Sequence, residues 1–152
     1  MALKEKLQND LTAAMRARDE VRSGTIRMVL TAIKNEEVAG KEARELSDAE
    51  VITVLSREAK KRREAAEAYE QAGAADRAAN EKVEGSIIAE YLPAQLSEQE
   101  IKDLIAAAIA ETGAAGPQQM GLVMKSIQPK IAGKADGGVV SSLVKAALSG
   151  GN

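Results

Sequence analysis

Leu3, Leu7, Leu11 and Met15 recur every four residues, which predicts a first helix with one apolar face. Asp19 stands where the N-cap of a second helix belongs. That helix carries Val21, Thr25, Met28, Val29, Ala32 and Ile33 on one face, and Ile26 and Leu30 widen it. So wide an apolar arc predicts a central helix, packed on more than one side. Gly24 interrupts it, and because glycine costs about 1 kcal/mol relative to alanine in a helix, it is expected to mark a close helix crossing. Ser47 and Glu50 have the S-x-x-E form of a capping box. They open a long third helix with Val51, Val54, Leu55, Ala59, Arg62, Ala66 and Tyr69, ended by Gly73. A fourth bears Val83, Ile87, Ile88, Tyr91 and Leu92 near its end, and Pro93 stops it.

Ser97 and Glu100 repeat the capping box, opening a fifth helix with Ile101, Leu104, Ile105, Ala108 and Ile109, which Gly113 terminates. Gly116-Pro117 opens a sixth, with Met120, Val123, Met124 and Ile127 on its apolar face and Pro129 at its end. Asp136 precedes a seventh, carrying Val139, Val140, Leu143, Val144, Ala147 and Leu148. No segment alternates as a strand does. The pattern predicts an all-α fold: an N-terminal bundle of about four helices over residues 1–92, a hinge at 93–97, and a small three-helix domain over 98–150.

Composition sharpens this picture. The 152 residues include two tyrosines and no Phe or Trp, so the core must be built from Leu, Ile, Val, Met and Ala. Such cores suit closely packed helices better than sheets. The absence of Cys and His excludes disulfides, the usual zinc sites, a cysteine nucleophile and imidazole acid–base chemistry. No apolar run reaches the ~18 residues of a membrane span. The start, MALKEKLQNDL, is amphipathic and carries acids, so it reads as neither a signal nor a transit peptide, and the cytoplasm is the expected compartment.

Net charge is −2, which provides no global field toward nucleic acid. Its distribution is uneven. Residues 1–90 hold 16 Lys/Arg against 18 Asp/Glu, whereas residues 113–152 hold Lys125, Lys130, Lys134 and Lys145 against Asp136 alone.

Four stretches invite chemical readings. The first, G-K-A-D-G-G-V-V at 133–140, has the composition of a phosphate loop. A P-loop needs a preceding strand and Ser or Thr after its lysine, and neither is present. Asp136 also places a carboxylate at the positive end of the following helix. The stretch reads as a capped helix–turn–helix corner whose flanking lysines can meet a phosphate backbone. The second, Ser142-Leu143-Val144-Lys145, has the S-x-x-K spacing of some serine acyl-transferases but not their partner motifs, and reads as helix surface. The third, R-E-A-K-K-R-R at 57–63, is the densest basic run. Spacing pairs Glu58 with Arg62, Lys60 with Glu64 and Arg63 with Glu67. It leaves Arg57 and Lys61 as like charges four apart, an arrangement that invites an anion. The fourth, Arg16, Arg18, Arg22, Arg27 and Lys34, is a second basic zone offset by Asp19 and Glu20. The carboxylate pairs Glu36/Glu37 and Glu81/Glu84 have no metal-ligand signature. No residue is nominated as catalytic or metal-binding, and no cofactor is expected.

Read in series, several segments resemble the GatB/YqeY family. They are Arg22-x-x-x-Ile26-Arg27, Ile33-Lys34-Asn35-Glu36, Ser56-Arg57-Glu58-x-Lys60-x-Arg62 and Glu90-Tyr91-Leu92-Pro93-x-Gln95-Leu96-Ser97. Met120-Gly121-x-Val123-Met124, Lys130 and Gly133-x-Ala135-Asp136-Gly137 complete the series. The match runs in order along nearly the whole chain, apart from the Ala-rich stretch at 65–79. The resemblance implies a small helical cytoplasmic protein similar to the C-terminal region of the B subunit of the tRNA-dependent amidotransferase. In that enzyme the region is an appendage that contacts tRNA, and its kinase and glutamine-hydrolysing domains have no counterpart here. The implied function is a tRNA-contacting accessory module, with tRNA and aminoacylation or amidotransferase proteins as partners and a monomer compatible with the pattern. Two alternatives stand beside it: a component of a carbon–nitrogen ligase with glutamine as amide donor, and a helical protein-interaction module with no RNA role. The expected RNA-contacting residues are Lys125, Lys130, Lys134, Lys145, Arg57 and Lys61.

Overall fold

The computed structural model describes residues 1–150. It contains seven α-helices: α1 (Leu3–Arg16), α2 (Glu20–Glu37), α3 (Asp48–Gln71), α4 (Ala75–Ala89), α5 (Glu98–Thr112), α6 (Met120–Ile131) and α7 (Gly137–Leu148). A short 3-10 turn, Pro117–Gln119, leads into α6. The fold is all-α, with no strand among the described residues. The helices fall into two compact units, one spanning Met1–Leu92 and one beginning at Pro93. No helix among the described residues is long and apolar enough to cross a membrane.

The caps read from the sequence are in place. The Asp19 carboxylate accepts from the Arg22 N–H. Ser47 and Ser97 each form a reciprocal capping box, with Glu50 and Glu100 respectively. Gly113 ends α5 at φ 70°, in the left-handed region.

In the first unit α3 and α4 form the most extensively packed pair, and α2 lies against α1, α3 and α4. Its core is Leu7, Ile26, Val29, Ile33, Val51, Val54, Leu55, Ala59, Ile87 and Ile88. The central position of α2 is as expected, but its phase differs. The buried stripe is Ile26, Val29 and Ile33, whereas Val21 and Met28 are exposed. At 3.6 residues per turn Val21 lies about 80° and Met28 about 100° round from Val29, the nearest member of the stripe, and both lie about 140–160° from Ile26. Hydrophobicity marked both as core, but only one phase faces three neighbours at once. Met15 and Val83 are exposed for the same reason.

Gly24 also departs from expectation. It lies on the exposed side of α2, and a Cβ built there meets nothing within 4 Å. No helix crosses at that point.

Polar groups set the register of the first unit. Glu37 continues the buried stripe of α2 and its side chain is 4% exposed. Its carboxylate accepts from Lys4 Nζ at 2.8 and 3.0 Å and from the Leu46 N–H at 3.2 Å. One buried acid thus ties the start of α1 and the loop before α3 to the end of α2. Arg62 does the same for the α3–α4 pair. It does not pair along its own helix with Glu58. Its largely buried side chain turns to α4, with Nε 3.1 Å from Glu84 and 3.7 Å from Glu81, while Nη2 reaches Met28 Sδ at 2.8 Å. Gly85 passes beside it, where a Cβ would stand 3.6 Å from that of Arg62.

The second unit has its own core, including Ile101, Ile105, Ala108, Val123, Ile127, Ile131, Val140, Val144 and Leu148. Pro129 lies inside the last turn of α6, at the end of the helix as expected.

Two substitutions check this description by thermal or urea unfolding. Gly24→Ala should raise stability by about 0.5–1 kcal/mol, since it gains helix propensity and clashes with nothing. A loss would mean that α2 is approached closely there. Arg62→Ala should lower stability by about 1–3 kcal/mol, because it leaves two half-buried carboxylates unpaired. A change near zero would remove Arg62 from the α3–α4 packing.

Candidate functional site

The sequence-predicted residues fall into three places. The first is the cleft where the end of α4 meets α1 and α2. Tyr91 Oη donates to Asp10 Oδ2 at 2.5 Å, and Lys6 Nζ lies 4.7 Å from the centre of the Tyr91 ring and 3.0 Å from Asp10. Arg22 Nη1 donates to Glu90 at 3.0 Å, and its Nε lies 3.6 Å from Asp19. These groups, with Ala13, Ala14 and Ala17, line an open cleft of about 490 Å³. The hydrogen bond from Tyr91, helped by Lys6, holds Asp10 below the usual carboxylate range. Burial, then the bond to Asp10, pushes the Tyr91 hydroxyl up. The family-motif residues Arg22 and Tyr91 therefore each meet an acid within this unit. Arg27 is exposed, and its guanidinium donates to Met15 Sδ at 3.7 Å.

The second place is a groove of about 220 Å³ between α2 and α3, which brings together Asn35, Glu36, Arg57, Glu58 and Lys61. The expected pair of uncompensated cations is not found. Arg57 Nη2 lies 3.5 Å from Glu36, and Lys61 Nζ lies 3.4 Å from Glu58, whose side chain is 9% exposed. Sequence spacing along α3 missed the acid that α2 supplies.

The third place is the corner between α6 and α7. Asp136 caps α7, its carboxylate accepting from the Gly138 N–H at 2.8 Å. This is the capped corner expected of the glycine-rich stretch. Ala132 (φ −55°, ψ 120°) and Gly133 (φ 73°) place residues 131–134 in a type II turn, closed by the Lys134 N–H donating to the Ile131 carbonyl at 2.8 Å. A side chain at position 133 would strain the turn. Met120 opens α6 and packs on the second core, while Gly121 and Gly137 face open space.

Lys125, Lys130, Lys134 and Lys145 are all exposed. None makes an ion pair within the described residues, where the second unit holds the pair Lys102–Glu98. Lys130 and Lys134 flank the turn. Lys125 is five positions before Lys130, about 140° round the helix. Lys130 and Lys145 also sit in the last turns of their helices, where a cation complements the helix dipole.

Sequence reasoning named Gln95 only within a family segment and Glu37 only within a carboxylate pair, gave neither a role, and did not name Asp10. Glu37 had a signal: an acid four residues after Ile33 on an apolar stripe implies a buried partner. Asp10 and Gln95 had none, because their partners are 81 and 38 residues away. Among the described residues no cluster of acids could hold a metal ion.

These features define a small all-α protein of two helical units, with a polar corner between its last two helices. The chain belongs to the YqeY family: the family described as Yqey-like protein matches residues 4–148. It is also similar to "Altered inheritance of mitochondria protein 41, mitochondrial" from Clavispora lusitaniae (strain ATCC 42720), with 31% identity over 147 residues, covering 95% of this chain and 84% of the relative.

The Asp10–Tyr91 bond sets an expectation for pH. Asp10, Glu37 and Glu50 all lie below their ordinary values, so their contribution is present above about pH 4 and is lost as pH falls through the native values. Tyr91 is raised above its ordinary 10.0, so its contribution is full below that pH and is lost as pH rises beyond it. In urea titrations at pH 7 and 11, Tyr91→Phe should be less stable than the parent at pH 7 and lose less between the two. Equal alkaline losses in both would remove this bond from the account.

Proposed function

We propose that this protein is a stand-alone RNA-contacting module, with folded tRNA as its class of ligand. The observation that carries the proposal is the set of four exposed second-unit lysines without ion pairs, two of which flank a backbone turn of fixed geometry. Most cations of the first unit's basic run are engaged with acids, so the second unit offers the freer positive charge. The resemblance of the chain to the tail region of the tRNA-dependent amidotransferase B subunit supplies the choice of tRNA. With two tyrosines in the chain, recognition rests on phosphate contact and shape rather than base stacking. Association with amidotransferase or aminoacylation proteins, and action in the cytoplasm, belong to the same proposal. The relative's name is mitochondrial, so the proposed compartment rests on the sequence alone.

A second reading, a protein-docking module, has one observation in its favour. A mostly apolar groove of about 290 Å³ runs between α5 and α7, lined by aliphatic residues including Ile105, Ile109 and Leu143 together with the charged Glu98 and Lys102.

The test is fluorescence anisotropy with bulk tRNA for the parent and for the double variant Lys130→Glu/Lys134→Glu. The parent should bind weakly at low salt, and the variant should lose roughly tenfold or more in affinity, about the effect of removing two phosphate contacts. Equal binding by both would take the RNA contact away from this corner.

A further inference from the structure

Gln95 lies in the segment that begins the second unit and is exposed, yet its side-chain NH2 group is engaged by two backbone carbonyls. Nε2 donates to the Pro93 carbonyl at 2.8 Å and to the Gly133 carbonyl at 2.9 Å. The next residue adds a backbone bond, with the Leu96 N–H donating to the Lys134 carbonyl at 2.9 Å. The Gly133 carbonyl belongs to the peptide that precedes the Lys134 Cα, and the Lys134 carbonyl to the peptide that follows it. Both peptides that flank Lys134 are therefore fastened to Gln95-Leu96. The type II turn fixes the same residue from its other side, through the Lys134 N–H to Ile131.

We infer that Gln95 is a positioning residue for Lys134: it holds the turn so that this lysine leaves a rigid backbone toward a phosphate. The inference rests on the RNA-contact reading above and goes beyond it, because Gln95 itself carries no charge and contributes no phosphate contact. A rigid base matters for a lysine that has no protein partner. A side chain that starts from a fixed Cα loses less freedom on meeting its ligand, and a mobile turn forfeits that advantage.

The alternative role is purely structural: Gln95 satisfies carbonyls at the end of α6 and does nothing for RNA. Salt dependence separates the two. Affinity for bulk tRNA is measured across a salt series for the parent, Gln95→Ala, Lys134→Ala and the double variant, with thermal midpoints alongside. Loss of one phosphate contact lowers affinity by roughly threefold or more and reduces the slope of log K against log salt by about one. Lys134→Ala should show this, and Gln95→Ala should show a reduced version at a near-parental midpoint. In the Lys134→Ala background Gln95→Ala should add nothing, since the two act through one contact.

Gln95→Ala at parental affinity and slope, with Lys134→Ala weakened, overturns the positioning role and leaves the RNA contact standing. An equal loss from Gln95→Ala with Lys134 present or absent overturns it as well, because Gln95 then acts through the fold or through another residue. Parental binding by Lys134→Ala overturns it together with the place of Lys134 in the RNA surface.

Discussion

A core assembled almost entirely from Ala, Val, Ile and Leu has few large rings to lock one helix against the next. That constraint shapes the rest of the molecule. Branched aliphatic side chains fill the stripe between helices but allow more than one register at similar cost. In the first unit, register is set instead by long polar side chains at the core margin. Glu37 joins α1, α2 and the loop before α3, Arg62 joins α3 to α4, and Tyr91, one of the two rings, joins the end of α4 to α1. The Glu37 and Tyr91 contacts are directional hydrogen bonds and the Arg62 contact is an ion pair, and loss of any one leaves a polar group poorly matched.

The same solution determines where charge is left over. Long cationic side chains that register helices are held by acids and have little reach for a ligand. Arg57 and Lys61 show this: Arg57 meets Glu36 once α2 is in place, and Lys61 meets Glu58, three positions earlier on α3 itself. The second unit is built differently. Its three helices close on their own small core, and the lysines of α6 and α7 take no part in holding it. Their freedom follows from the design of the unit and underlies the proposal that this unit faces RNA.

Helix existence was legible in the sequence because it rests on local rules. Capping residues at Asp19, Ser47, Ser97 and Asp136 state where helices begin, and apolar spacing states where they run. Helix phase was only partly legible. Val21 and Met28 are as hydrophobic as Val29, and which of them faces the core depends on the positions of three other helices. Gly24 misled for a related reason: a glycine without a structural use looks the same as one at a crossing. The candidate site was legible in its charges and not in its geometry. The excess of lysine after residue 113 is plain in the sequence. The fastening of Lys134 by a segment 38 residues earlier is a long-range fact that no local pattern encodes.

The most direct test of this charge partition is lysine footprinting with an amine-acylating reagent, read by mass spectrometry, with and without tRNA at low salt. Lys125, Lys130, Lys134 and Lys145 should react readily in the free protein and be protected in the complex. Lys34 and Lys41, exposed in the first unit, should react alike in both states. Protection of Lys34 and Lys41 with the second-unit lysines unchanged, or no protection at any lysine, would contradict the account.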